Sequence, residues 1–199
     1  MAINILAING SYRADGSTDR IVEALTSELI QRGAEVEQIF LRDHEINFCL
    51  NCRECMQNPG TDPQSCVQAD MMKDIVQKLE NADAYILATP TNLGTVTAIF
   101  KRFMERLAVY EYWPWSAAAP KHRKNNTLRK KAILITSTSA PAFIARWVFS
   151  TIGQLKYTAK IIGADTAGII FTGLVSGKTH EKISEKSKKK AIQMANKLI

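Results

Sequence analysis

The chain opens on Ala2-Ile3-Asn4-Ile5-Leu6-Ala7-Ile8, a run that is almost wholly apolar and does not alternate. A strand solvated on one face alternates; a continuous apolar run of this length reads as a strand covered on both faces, as in a parallel sheet. Segments 34–41, 83–89, 132–136 and 166–172 read as four further strands. Between and after them the apolar residues recur at helical spacing. The stripes are Ile21, Val22, Leu25, Leu29; Met72, Ile75, Val76, Leu79; and Val96, Ile99, Phe100, Phe103, Leu107. They continue with Ile144, Trp147, Val148, Thr151, Ile152, Leu155, and end with Ile183, Ala191, Met194, Leu198. Punctuation agrees: Gly33 closes the first helix, Asp70 caps the second and Pro141 opens the fourth. Five strands alternating with five helices predict an α/β fold, a doubly wound five-stranded parallel sheet with right-handed crossovers. We expect residues 1–199 to form one domain, interrupted by an irregular insertion at about 109–130 that carries Trp113, Trp115 and two prolines. Loops of that length are functional or mobile.

Composition adds little until charge is placed along the chain. No apolar run approaches the ~18 residues of a membrane span, and the N-terminus lacks the basic lead of a secretory signal. A cytoplasmic location is the default expectation. The net charge is +7. Residues 121–131 carry six Lys or Arg and no acid, and residues 178–199 carry seven Lys against two Glu. Neither segment interleaves aromatics with its bases, as strand-binding surfaces do. Both read as solvated faces that draw in anionic small molecules, with no nucleic acid or membrane partner.

Candidate chemistry concentrates after strand one. Asn9-Gly10-Ser11-Tyr12-Arg13-Ala14-Asp15-Gly16-Ser17-Thr18 joins a buried strand to a helix start, where backbone amides lack intrahelical partners. The helix dipole adds roughly half a positive charge there. Ser11, Ser17 and Thr18 offer hydroxyls, and Arg13 a forked guanidinium. A dinucleotide fingerprint needs three glycines and a Walker loop needs Gly-Lys-Ser/Thr; this loop has neither, so a terminal monophosphate is the better guest. The loops after strands three and four, Pro90-Thr91-Asn92-Leu93-Gly94-Thr95 and Ser137-Thr138-Ser139, reach the same sheet edge.

All four cysteines fall in one polar loop, as Cys49-x-x-Cys52-x-x-Cys55 followed by Cys66. Outside an oxidising compartment this points to metal or redox chemistry rather than a structural disulfide. The set supplies the four thiolates of a [4Fe–4S] cluster, although ten residues separate Cys55 from Cys66. Redox-active thiols and zinc remain open alternatives. His44, His122 and His180 are isolated and read as surface residues.

Together these stretches resemble the flavodoxin-like NAD(P)H-dependent FMN reductases and the related iron–sulfur flavoproteins. Gly10-Ser11-x-Arg13-x-x-Gly16-Ser17-Thr18 is similar to the family's phosphate loop. Thr89-Pro90-Thr91-Asn92-Leu93-Gly94-Thr95 resembles its isoalloxazine loop, with Asn92 where an aromatic is usual. The cysteine motif followed by Asp70-Met71 resembles the family's compact thiol motif and helix start. The resemblance implies strand order 2-1-3-4-5 and FMN held by Ser11, Arg13, Ser17 and Thr18, by Pro90–Thr95 and by Ser137, Thr138 and Ser139. It implies NAD(P)H as co-substrate, a quinone or flavin as acceptor, and a homodimer or homotetramer. No catalytic side chain is required, because the flavin N5 takes the hydride. Amides after Ser139-Ala140-Pro141 and in Thr91–Gly94 would face developing negative charge. Cys49, Cys52, Cys55 and Cys66 become candidate [4Fe–4S] ligands. The competing functions are an electron carrier without nicotinamide turnover and a non-catalytic sensor on the same scaffold.

Overall fold

A computed structural model describes residues 2–175 and 185–199. In chain order the elements are β1 (Asn4–Asn9), α1 (Ser17–Gln31), β2 (Glu35–Phe40), α2 (Met72–Asn81), β3 (Ala84–Ala88) and α3 (Ala98–Arg106). They continue with β4 (Glu111–Tyr112), β5 (Lys121–His122), β6 (Lys130–Ser137), α4 (Ala142–Val148), α5 (Thr151–Ile161), β7 (Ala164–Thr172) and α6 (Glu185–Ala195). The main sheet runs β2-β1-β3-β6-β7 with every pairing parallel. Counting its own strands in sequence, this is the expected order 2-1-3-4-5. Ile183, the first residue of the last helical stripe, lies outside the described residues.

Alternate residues of each central strand feed opposite cores, as a pleated strand dictates. Leu6, Ile8, Tyr85, Leu87 and Leu134 face one way, against Leu79 of α2, Phe100 and Phe103 of α3 and Leu155 of α5. Ile5, Ala7, Ile86, Ile133 and Ile135 face the other way, against Ile21, Leu25 and Leu29 of α1 and Ala191 and Leu198 of α6. Covering both faces is what makes these strands read as continuous apolar runs. Among the described residues no helix is long and apolar enough to cross a membrane.

Three expectations need correction. The single helix expected after Pro141 is two helices. Phe149 leaves helical geometry at φ −98°, ψ 141°, and the Ser150 amide turns to the Gly94 carbonyl at 2.9 Å. As a result Trp147 is 91% exposed and Ile144 and Val148 also face solvent, although their spacing marked them for the core. Second, the insertion is partly ordered: Glu111 pairs with His122 and Tyr112 with Lys121 in an antiparallel ribbon. His122 is half-buried, its Nδ1 2.6 Å from Glu111 Oε1, and so is not a surface residue. Third, the 121–131 run is only in part a solvated face. Arg123 is buried and donates to the carbonyls of Val109, Gly60 and Cys55. Lys124 pairs with Glu80, and Lys130 Nζ donates to the carbonyls of Leu79 and Glu80. These cations fasten the insertion and the start of β6 to α2 and to the cysteine loop.

Candidate functional site

The loops after β1, β3 and β6 meet at the carboxyl edge of the sheet. The first is shaped from within. Asn9 Oδ1 accepts the Ser11 amide at 2.9 Å, and Ser11 Oγ accepts the Arg13 amide at 3.2 Å. Asn9 Nδ2 donates to Asp19 Oδ1 at 2.7 Å, drawing the acid of the first α1 turn away from the loop mouth. Arg42, just beyond β2, pairs with Asp19 at 3.0 Å and donates to the Ser11 and Arg13 carbonyls. Burial lifts the Asp19 carboxyl above its ordinary value, against the pull of Asn9 and Arg42. Carbonyls and carboxylate therefore turn inward and donors outward. No side chain caps α1. The amides of Tyr12, Ala14 and Gly16, the Ser17 hydroxyl and the exposed Arg13 guanidinium have no partner among the described residues.

The second loop is a tight hairpin. Asn92 and Thr95 exchange backbone hydrogen bonds at 2.8 and 3.1 Å, across Leu93 and Gly94 at φ 48° and 80°. Positive φ at both central positions suits Gly94 and strains Leu93, which stands fully exposed at the tip. The tip amides of Leu93 and Gly94 have no partner among the described residues, whereas those of Thr91 and Asn92 are engaged by Ser137 and Thr95. Gln154 Nε2 holds the Thr95 hydroxyl at 2.7 Å, and the Thr91 hydroxyl lies 3.0 Å from that of Thr151.

The third loop joins the first through Thr18 Oγ1 and Ser137 Oγ, 2.8 Å apart and buried. The Thr138 amide reaches the Thr172 carbonyl and the Ala140 amide the Thr138 hydroxyl, so these two donors are engaged within the protein. Of the thirteen residues singled out on these loops, Ser11, Thr18 and Ser137 hold the loops together by their hydroxyls. Arg13, Ser17 and the hairpin tip present free donors. Ser139 is exposed beside them, and Pro90 lies half-buried between β3 and the hairpin.

Beside this edge lies the cysteine loop, organised by arginines. Arg106, at the end of α3, is 2% exposed. It donates to the Asn47 carbonyl and to the Asp70 carboxylate, and lies against the Cys66 sulfur. Burial alone would raise Asp70, but the bonds from Arg106 and from the Asn47 and Met72 amides outweigh it and hold the carboxyl below its usual range. Arg53, in left-handed backbone at φ 61°, stacks 3.8 Å from the Trp113 ring centroid and 4.4 Å from that of Trp115. Sulfur atoms accept amides two residues on: Asn51 to Cys49 at 3.4 Å and Gln68 to Cys66 at 3.5 Å. Burial, then the charges of Cys66, Cys49 and Cys52, pushes the Cys55 thiol up to about 11. All four cysteines are free. Among the described residues no three His, Cys, Asp or Glu side chains gather closely enough to hold a metal ion. The donor types match a four-thiolate site; their positions do not form a ligand set.

A family model described as NADPH-dependent FMN reductase matches residues 3–167. The chain belongs to this family. An iron-sulfur flavoprotein of Archaeoglobus fulgidus is 34% identical over 109 residues, 55% of this chain and 47% of that protein. One of Methanocaldococcus jannaschii is 32% identical over 104 residues, 52% of this chain and 51% of that protein. The chain thus spans about half the length of the curated relatives it matches. An FMN-dependent NADH-azoreductase of Bacillus anthracis, solved with FMN, superposes with TM-score 0.71 at 13% identity, over 98% of this chain and 99% of that one. An NAD(P)H:quinone oxidoreductase of Methanothermobacter marburgensis gives 0.64 at 12% identity, over 98% and 96%. At these identities the likeness shows the flavodoxin-like fold. The cofactor of the FMN reductase family fits the first loop: free amides, the Ser17 hydroxyl and the Arg13 guanidinium on an uncapped helix start suit a phosphate dianion.

Sequence reasoning missed Arg42, Arg53, Arg106, Arg123, Tyr12, Thr97 and Gln154. Asn9, polar at the end of an apolar strand, and Asp19, an acid in a first helical turn, carried a local signal. The arginines carried none, since their partners are carbonyls and carboxylates far along the chain. Removing the Asp70 carboxylate leaves the Arg106 guanidinium buried without its anion. We expect Asp70→Ala to lower unfolding free energy by about 3–5 kcal/mol at pH 7, read from urea denaturation. Because the folded carboxyl titrates below its unfolded value, this contribution is complete above about pH 4 and fades as pH falls through the lowered value. The gap between variant and wild type should therefore narrow as pH falls below the ordinary carboxylate range.

Proposed function

We propose that this chain is an oxidoreductase that binds FMN and transfers hydride from NAD(P)H to a quinone, flavin or similar small acceptor. The observation that carries the reading is the set of free donors in the first loop at the uncapped start of α1, beside the hairpin after β3. Bound FMN supplies a hydride acceptor and donor at its ring. The protein's own work is to bind and orient. Arg13, the Ser17 hydroxyl and the free loop amides neutralise a phosphate dianion. The backbone of Thr91–Gly94 leaves room for a planar ring, and the tip amides of Leu93 and Gly94 are placed to donate to it. Ser139 and the end of β6 bound the far side. No side chain need move a proton, so Glu111 and His122, paired with each other in the insertion, stay outside the reaction. One face beside the cysteine loop and the insertion stays open. Donor and acceptor use it in turn, which predicts ping-pong kinetics.

A second reading, an electron carrier that works through the thiols, is favoured by the amide bonds to Cys49 and Cys66 and by the names of the iron-sulfur flavoprotein relatives. The two readings part on the Cys→Ser variant at 49, 52, 55 and 66. With FMN alone responsible, that variant should still oxidise NADPH and still reduce a quinone. Bleaching by NADPH with no reduction of the acceptor would overturn the first reading. An anaerobic absorption spectrum of the wild type reports flavin and any iron–sulfur centre together.

We further infer a homodimer or homotetramer. The supporting observation is α4, whose only buried residue is Ala145, while Phe143, Trp147 and Val148 are exposed. A patch of this kind suits an interface. A monomeric mass in solution with FMN bound would refute it. At the phosphate, Arg13→Ala should weaken FMN binding by about 1.5–3 kcal/mol, the range for a charged hydrogen bond. Flavin fluorescence titration measures this, and unchanged affinity removes Arg13 from the site.

A further inference from the structure

Arg102 makes none of the hydrogen bonds or ion pairs that hold the loops of the site. It stands on α3, four residues before Arg106 and on the same helix face. Its Nε is buried without a hydrogen-bond partner. The neighbouring acid Glu105 is taken by Lys101 at 3.4 Å, and among the described residues Arg102 meets no carboxylate. Its guanidinium carbon lies 5.5 Å from the ring centroid of Phe48, which is 69% exposed. One helical turn back, the Ile99 amide donates to the Tyr12 hydroxyl at 3.1 Å. Arg102 therefore stands between the phosphate loop, through Tyr12, and the first arm of the cysteine loop, through Phe48. Tyr12 is itself 51% exposed. A guanidinium keeps its charge at every physiological pH, and a partly desolvated one without an anion is costly unless something supplies it.

We propose that Arg102, flanked by Tyr12 and Phe48, is an anion subsite that takes the diphosphate of an adenine dinucleotide entering the open face. The guanidinium fork matches phosphate oxygens bidentately, and the two exposed rings offer stacking surface for a planar base. The inference deepens the proposed function, since it names how the hydride donor is held, and it rests on that reading. The same charge would also serve a sulfonate or carboxylate on the acceptor.

The test uses ADP-ribose, which carries the diphosphate and adenine but no nicotinamide, titrated calorimetrically into the FMN-loaded protein. Arg102→Met should raise its Kd at least tenfold and Arg102→Lys by less. Lys156→Met, which removes an equal charge from the exposed side of α5 and frees no acid, should leave it unchanged. FMN affinity and Tm, measured on each variant, show that Arg102→Met folds; Arg102→Gln repeats the measurement at closer size and polarity. If ADP-ribose affinity holds while a sulfonated naphthoquinone binds tenfold more weakly than to wild type, the anion belongs to the acceptor. Equal affinity for both probes in wild type and Arg102→Met, equal loss in Lys156→Met, or no binding of either probe by the wild type overturns the subsite. Its fate separates from that of the hydride reading. NADPH oxidation with ADP-ribose binding indifferent to Arg102 removes the subsite alone, and Arg102-dependent binding without NADPH oxidation removes the hydride reading alone.

Discussion

The candidate site depends on how closely α3 approaches the first loop. Gly10 donates its amide to the Ala88 carbonyl at 2.8 Å, and its carbonyl accepts the Thr97 hydroxyl at 2.6 Å. A Cβ on residue 10 would lie 2.7 Å from Phe100 Cβ, so only glycine lets the loop lie flat against the helix. Thr97 also accepts the Phe100 amide, capping α3 with the same oxygen that binds Gly10. One threonine thus starts a helix and fixes the loop before it. From this point the hydroxyl contacts spread outward: Thr97 to Thr89, Thr91 to Thr136 and Thr151, and Thr18 to Ser137. Short, rotationally cheap side chains hold three loops in register without filling the space above them.

The cysteine loop is held by a different chemistry. It has few apolar residues to bury, and guanidinium groups bind its carbonyls, Arg106 at Asn47 and Arg123 at Cys55 and Gly60, while its own Arg53 reaches the Trp113 and Pro114 carbonyls of the insertion. One planar cation with several donors replaces what a strand partner would supply. The arrangement also brings Arg106 against the Cys66 sulfur and Arg123 to the Cys55 carbonyl. Arg53, Arg102 and Arg106 each keep a buried Nε without a hydrogen-bond partner.

The two regions share α3. Its first turn meets Gly10 and Tyr12, and its last residue holds both ends of the cysteine loop. A nine-residue helix packed by Phe100 and Phe103, whose rings meet edge-on at 5.7 Å, is a rigid spacer between them. The open face of the site is therefore bounded by elements that keep a fixed distance from one another.

The sequence by itself determined the strands, their burial on both faces and the helices between them, because apolar periodicity is local and each core residue needs only some apolar neighbour. It also marked the three loops and the clustered cysteines, since glycine, hydroxyl and thiol residues at loop positions are legible without knowing what they touch. The strand order came from the family resemblance. Tertiary structure alone decided the rest. The break at Phe149 follows from the pull of the Gly94 carbonyl on the Ser150 amide, a partner 56 residues away in sequence. Arg123 and Lys130 looked like solvent-facing charges because nothing in a basic run says that unpaired carbonyls wait beside it. Arg42 and Arg106 find their anions 23 and 36 residues away. A long cation can satisfy any carbonyl or carboxylate within its reach, and only the packed chain determines which one that is.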